Sequence, residues 1–206
     1  MKLEKSRPRE VDEIMKGVSD RFGISNAREG MHCTDGIYCL RKTFWNKLDP
    51  LPPSPDELLY FLLGLGLQEA LLGGDNQSAA ECDGILVSPD YWKNGVLGEL
   101  KTTRMGEKSI NEKGLPDGWV KQMMAYAYVL GVKQAFLIVL PLIKVDILSY
   151  VLTFEQGELE ENWDRIVKRI RELEYSLATK TVPSGEWGGW QCKSCRFNYR
   201  CQVGGK

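Results

Sequence analysis

Apolar residues along this chain recur with two different periods. Val11, Ile14, Met15, Val18 and Phe22 fall at helical spacing in a charged stretch, which predicts an amphipathic helix over 10–23. A second helix is predicted from Tyr38 to Lys47. The proline-rich run from Asp49 to Pro55 excludes regular structure and reads as a rigid turn. Ser54 or Asp56 then caps a strongly apolar helix that reaches about Leu72, where Gly73-Gly74-Asp75-Asn76 breaks it. The middle of the chain reads as strands: Ala79 to Val87, then Val96 to Thr103 after a turn at Lys93-Asn94-Gly95. Residues 104–118 are polar and glycine-containing and are expected to form a mobile loop. A helix from about Asp117 to Leu130 ends at Gly131 as a left-handed cap. Two more strands, Gln134 to Leu140 and Val145 to Phe154, precede a long charged helix from Glu155 to about Thr179. Pro183 to Lys206 has too little periodicity to pack alone, so something must organise it.

This order of helices, strands, helix, strands and helix predicts an α/β fold with a mixed sheet flanked by helices. A length of 206 residues, 43% of them hydrophobic and 27% charged, fits one globular domain and excludes a disordered, collagen-like or coiled-coil chain. The apolar run from Ala135 to Leu142 is too short to span a bilayer. The first residues carry charges with no apolar stretch behind them, so the expected compartment is the cytoplasm and no membrane partner is expected. The net charge of −1 denies the chain a global positive field. Binding to nucleic acid would need a local patch, a metal or a partner.

Candidate chemistry concentrates in two places. Glu99 and Lys101 are two apart in a predicted strand and share a face, with Leu100 pointing into the core. Asp83, in the preceding strand, reaches the same place if the two strands are neighbours. Two carboxylates and an ammonium at a strand end suit a magnesium or manganese ion, although an acid-x-Lys pair alone also fits a surface ion pair. Gln122 and Tyr126 share one face of the following helix and are able to contact a phosphate backbone. Arg41, Lys42, Arg104, Lys108 and Lys113 are candidates for a phosphate track.

The second place is the tail, where Cys192, Cys195 and Cys201 form C-x2-C-x5-C. Three thiolates leave a four-ligand site one short. Cys39 is the preferred fourth, ahead of Cys33, and spacing alone leaves zinc and an iron–sulfur cluster both open. Cys82 reads as a small core residue and His32 as a solvated loop residue. Trp187 and Trp190 are expected to shield the cysteine group from water, with stacking on bases as the alternative.

Asp83, Glu99-Leu100-Lys101-Thr102-Thr103 and Gln122-x-x-x-Tyr126, in that order, resemble the RecB branch of the PD-(D/E)xK nuclease superfamily. Cys39 followed by x-Arg41-Lys42, with the C-terminal cysteine run, resembles its iron–sulfur members, including the stand-alone CRISPR-associated RecB-like exonucleases and viral relatives. The resemblance implies a restriction-endonuclease-like core over about 73–155 within one nuclease domain spanning 1–206. Segments 30–50 and 183–206 would form a small lobe around a [4Fe-4S] cluster held by Cys39, Cys192, Cys195 and Cys201, joining the two parts of the chain. It further implies manganese or magnesium on Asp83, Glu99 and the Leu100 carbonyl, with Lys101 catalytic and Gln122 and Tyr126 positioning DNA. The implied activity is hydrolysis of DNA at single-stranded ends, in spacer acquisition beside the CRISPR integrase or in viral or host recombination and repair. Gln68 stands where these relatives carry a histidine. It offers a carbonyl oxygen to a hard cation but suits manganese less well than imidazole. A catalytically impaired DNA-binding subunit is therefore the alternative reading.

Overall fold

A computed structural model of the chain describes residues 28–73, 79–143, 146–185 and 190–203, with Glu13 and Gly17. The helix expected over 10–23 lies almost wholly outside the described residues, as do Trp187 and the side chain of Trp190.

Strand β1 (Met31–His32) leads into helices α1 (Cys33–Ile37) and α2 (Leu40–Leu48). Helix α3 (Pro55–Leu72) starts at Ser54, whose hydroxyl accepts from the Glu57 N–H at 3.2 Å while the Glu57 carboxylate accepts from the Ser54 N–H at 2.9 Å. This reciprocal capping satisfies two N-terminal donors. The stretch from Ala79 to Val87 is not one strand as expected. It is a hairpin of β2 (Ala80–Cys82) and β3 (Ile85–Val87) turned by Asp83-Gly84 at φ 54° and 77°. An Asp-Gly pair supplies the two left-handed residues that a two-residue hairpin turn requires.

A second such turn, Asn94-Gly95 at φ 54° and 76°, joins β4 (Tyr91–Lys93) to β5 (Val96–Thr103). Strand β5 is followed by α4 (Glu107–Lys113), where a mobile loop was expected. One apolar side chain in this helix, Ile110, is buried against Leu137 and Val139. A single anchor gives no visible period, which is why the pattern missed it. Helix α5 (Asp117–Leu130) ends at Gly131 in the left-handed conformation, as expected, and β6 (Gln134–Pro141) then pairs parallel to β5. Strand β7 (Leu148–Thr153) returns antiparallel, giving the order β4-β5-β6-β7 beside a smaller sheet β1-β3-β2.

The β5 face carrying Leu97, Glu99 and Lys101 is covered by α4 and α5. On the opposite face Phe136 lies across Gly98, and a Cβ there would sit 2.0 Å from the ring. Helix α6 (Gln156–Thr179) buries Leu159, Trp163, Ile166, Ile170 and Leu173 along one stripe. The fold is α/β, a mixed sheet flanked by helices.

The C-terminal segment, with α7 (Trp190–Lys193) and α8 (Asn198–Val203), docks on α2. Arg196 donates to Asn46 at 2.7 Å, and Arg200 donates to the Asp49 carbonyl and carboxylate at 2.9 and 2.7 Å. Between these arginines Phe197 is fully buried. An apolar anchor and two cations thus supply the organisation that the sequence pattern lacks.

Candidate active site in the cleft between β5 and α3

The Asn94-Gly95 turn fixes what faces what. Tyr91 pairs with Gly98, so one step further Asp90 stands across from Glu99. The Asp90 N–H donates to Glu99 Oε2 at 3.3 Å, and the Leu100 N–H donates to Asp90 Oδ2 at 2.9 Å. Each carboxylate is thus held by the other strand's backbone.

Glu99 is 3% exposed. Its Oε1 accepts from Lys101 Nζ at 2.6 Å and from Gln122 Nε2 at 2.9 Å. Gln122 Oε1 accepts from Lys101 at 3.0 Å, and Gln122 Nε2 also donates to the Tyr126 hydroxyl at 2.7 Å. This network sets the amide's orientation, since reversing it would point donors at the ammonium. Two of the three ammonium hydrogens of Lys101 are held this way.

Burial pushes the Glu99 carboxyl up to about 7, against the pull of Lys101. Burial also raises Asp90, opposed by the Leu100 N–H and Lys101. Lys101 is pulled down by its own burial, but Glu99 outweighs this and holds it above its ordinary value. Burial, reinforced by Glu99, drives the Tyr126 phenol far above its ordinary range, so it stays protonated. Two carboxyls share one ammonium and are short of positive charge. That is an environment a hard divalent cation completes, and oxygen donors suit it.

These groups open onto a cleft of about 300 Å³. Asp90, Glu99, Leu100, Lys101 and Thr102 form one wall, and α3 forms the other with Tyr60, Phe61, Gly64, Leu65 and Gln68. Gln68, the residue in the histidine position of the resemblance, therefore faces the carboxylates.

Asp83 is elsewhere. It sits in the β2–β3 turn, its carboxylate accepts from the Trp163 indole at 2.8 Å, and its carbonyl accepts from Arg171 at 3.1 Å. The carboxylate that partners Glu99 is Asp90, which the sequence reading passed over. Its signal was present: Pro89-Asp90 precedes Asn94-Gly95 at the same distance as Glu99 follows it. Gln122 and Tyr126 also differ from expectation. They are 6% and 4% exposed, Gln122 holding Glu99 and Lys101 and Tyr126 holding Gln122, with little surface to offer a strand.

The cysteines divide. Cys33 is buried in the core, and desolvation pushes its thiol up to about 12, which sets it apart as inert. Cys82 packs against the core, as expected. Burial raises the Cys201 thiol, and neighbouring Cys39 and Cys195 push it the same way against Arg41. Cys39 and Cys195 thus lie near enough to Cys201 for their charge to act on its thiol. Among the described residues, no three His, Cys, Asp or Glu side chains are arranged to hold a single metal ion. His32 is not a solvated loop residue. It is half-buried in β1 and hydrogen-bonds the Glu29 carbonyl at 3.1 Å. Arg41 holds the Pro183 carbonyl at 3.1 Å, while Arg104, Lys108 and Lys113 are exposed.

No family model and no curated protein matches the chain. Solved structures do. The fold is similar to the crystal structure of SSO0001, with a TM-score of 0.61 and 20% identity over 96% of this chain and 98% of that one. It is also similar to a phage related exonuclease from Haemophilus somnus 129PT, with a TM-score of 0.54 and 12% identity over 75% of this chain and 97% of that one. The likeness shows a shared fold. Among the described residues no helix is long and apolar enough to cross a membrane.

Proposed function

We propose that this chain is a metal-dependent DNA nuclease that hydrolyses phosphodiester bonds, acting as an exonuclease at single-stranded ends. The observation that carries the reading is the cross-strand pair Asp90–Glu99 with Lys101 beside it, all lining one cleft. Its fold, shared with a protein described as a phage related exonuclease, supports it.

Asp90, Glu99 and the Leu100 carbonyl would hold magnesium or manganese, with Gln68 facing them from α3. Bound there, the cation supplies Lewis acidity at the scissile phosphate. Lys101 keeps a fixed positive charge where negative charge grows on the phosphate oxygens. Gln122 holds the Lys101 ammonium and the Glu99 carboxylate in one geometry, and Tyr126 fixes Gln122. Arg104, Lys108 and Lys113 offer a local phosphate track on a chain with no global positive field. Labelled single-stranded DNA with magnesium or manganese tests the reading. Wild-type protein is expected to cleave and Lys101→Ala protein is not; equal cleavage by both would sink it.

Cys39, Cys195 and Cys201, with Cys192 from the same run, form the donor set proposed for a structural [4Fe-4S] cluster. The nearness of Cys39 and Cys195 to Cys201 supports this. Anaerobic purification followed by an absorption spectrum and an iron count tests it. Brown protein with iron is the expected result, and colourless protein with zinc would overturn it. The resemblance points to spacer acquisition beside a CRISPR integrase, or to viral or host DNA recombination and repair, as the setting.

A further inference from the structure

Helix α3 carries a composition that phosphodiester hydrolysis does not use. Over Pro55–Leu72 it has no lysine or arginine, and its charged residues are Asp56, Glu57 and Glu69. Several of its large apolar side chains are nonetheless turned outward, with Tyr60 49% and Phe61 43% exposed. An apolar surface of this kind left in water marks a binding site. Tyr60 and Phe61 line the cleft with Trp119 of α5, facing Asp90, Glu99 and Lys101.

Charge decides which part of a nucleic acid meets this wall. Helix α3 offers a phosphate backbone no cation of its own, whereas the β5 wall carries Lys101 and, at Asp90 and Glu99, the place for a divalent cation. A strand in the cleft therefore runs its backbone along β5 and turns its bases toward α3. Aromatic faces stack with every base, so such a wall is tolerant of sequence. A duplex offers such a wall its backbone and groove edges but no base face, because its bases are stacked on one another.

We propose that Tyr60, Phe61 and Trp119 form a base-stacking wall, and that these residues make the cleft select unpaired nucleotides. The proposal rests on the nuclease reading for the placement of the backbone beside Lys101.

Binding and cleavage are measured separately. Binding is read, with divalent metal removed by a chelator, from the fluorescence of 2-aminopurine within a single-stranded oligonucleotide. Tyr60→Leu and Phe61→Leu keep apolar bulk but remove the ring face. Each is expected to weaken binding roughly tenfold and to relieve the quenching caused by stacking. Phe61→Tyr should restore both. On an oligonucleotide of the same length whose central sugars carry no base, the leucine variants should bind as wild type does. Leu71→Ser, on α3 but outside the cleft lining, should keep wild-type binding and report that the helix is intact. Unchanged binding of the normal strand by the leucine variants, or an equal loss on the abasic strand, would overturn the proposal. Failure of the two readings is distinguishable. Phe61-dependent quenching in a protein that cleaves no DNA defeats the nuclease reading alone. Cleavage with an unaltered KM in Phe61→Leu defeats the wall alone.

Discussion

Asp90, just before β4, stands opposite Glu99 on β5, and each carboxylate accepts one backbone N–H from the other's segment. That exchange makes the pair a rigid unit, since moving either carboxylate breaks a bond held by the other strand. Asp83 shares the residue type but not the place. Asp90→Ala should reduce metal-dependent cleavage by at least about a hundredfold, because one of two charged oxygen ligands is lost. Asp83→Ala should leave kcat near wild type and cost about 1 kcal/mol of stability through the Trp163 indole bond. Cleavage assays and urea melts of the two variants check this. A larger catalytic loss in Asp83→Ala would reverse the assignment.

Gln122 makes its contribution through other residues. Its amide joins Lys101, Glu99 and Tyr126, and it is buried. Gln122→Leu keeps the volume and removes every bond, leaving the Lys101–Glu99 pair free to rotate. The expected result is a fall in kcat of about ten- to a hundredfold with KM for DNA nearly unchanged. Gln122→Glu places a third carboxylate against Glu99 and should be worse than Gln122→Leu. A rise in KM with kcat preserved would mean that Gln122 touches the strand.

Much of the frame was legible because it follows from local pattern. The bounds of β5 and α5, the Ser54 cap and the Gly131 stop are all signalled by residues within a few positions of the feature. The site was legible in part. Glu99 and Lys101 meet because alternation along a strand requires it. The second acid is less legible, because the alternation that pairs Glu99 with Lys101 extends to Asp83 only if Asp83 lies on a strand. The Asp-Gly pair instead makes residues 83 and 84 a turn, which swings the side chain toward Trp163. Helix α4 escaped because one isoleucine carries its burial. The docking of Phe197 on α2 links positions far apart in sequence, which no short-range pattern records.

Protonation of Glu99 should govern metal affinity. Burial holds its carboxyl at about 7, above the ordinary 4.5. Between these values the metal-free folded chain binds more protons than the unfolded one, so stability from this group is present below the unfolded value and falls as pH rises toward 7. A cation requires the carboxylate, so its affinity should rise over the same window and its binding should release a proton near pH 6. Calorimetry in buffers of different ionisation enthalpy measures that release. Glu99→Gln should abolish it and flatten the pH dependence of metal-free stability. A wild-type titration with no proton release at pH 6 would contradict the raised value.

Phe197 is the apolar anchor of the C-terminal segment. Its ring is fully buried, with the Arg196 and Arg200 guanidiniums 5.2 and 5.5 Å from its centroid. Truncation to alanine removes the ring's contacts and leaves a hole beneath two cations. Phe197→Ala is therefore expected to cost about 3–5 kcal/mol. If α8 helps to gather the cysteines, the same variant should also lower the iron retained per chain during anaerobic purification. Cys201→Ala removes a single thiol and should reduce iron while leaving the Phe197 packing in place. Comparing the two by melting and iron count separates docking from ligation. Retained iron with an unchanged melt in Phe197→Ala would show that the segment is held by its cysteines and not by its ring.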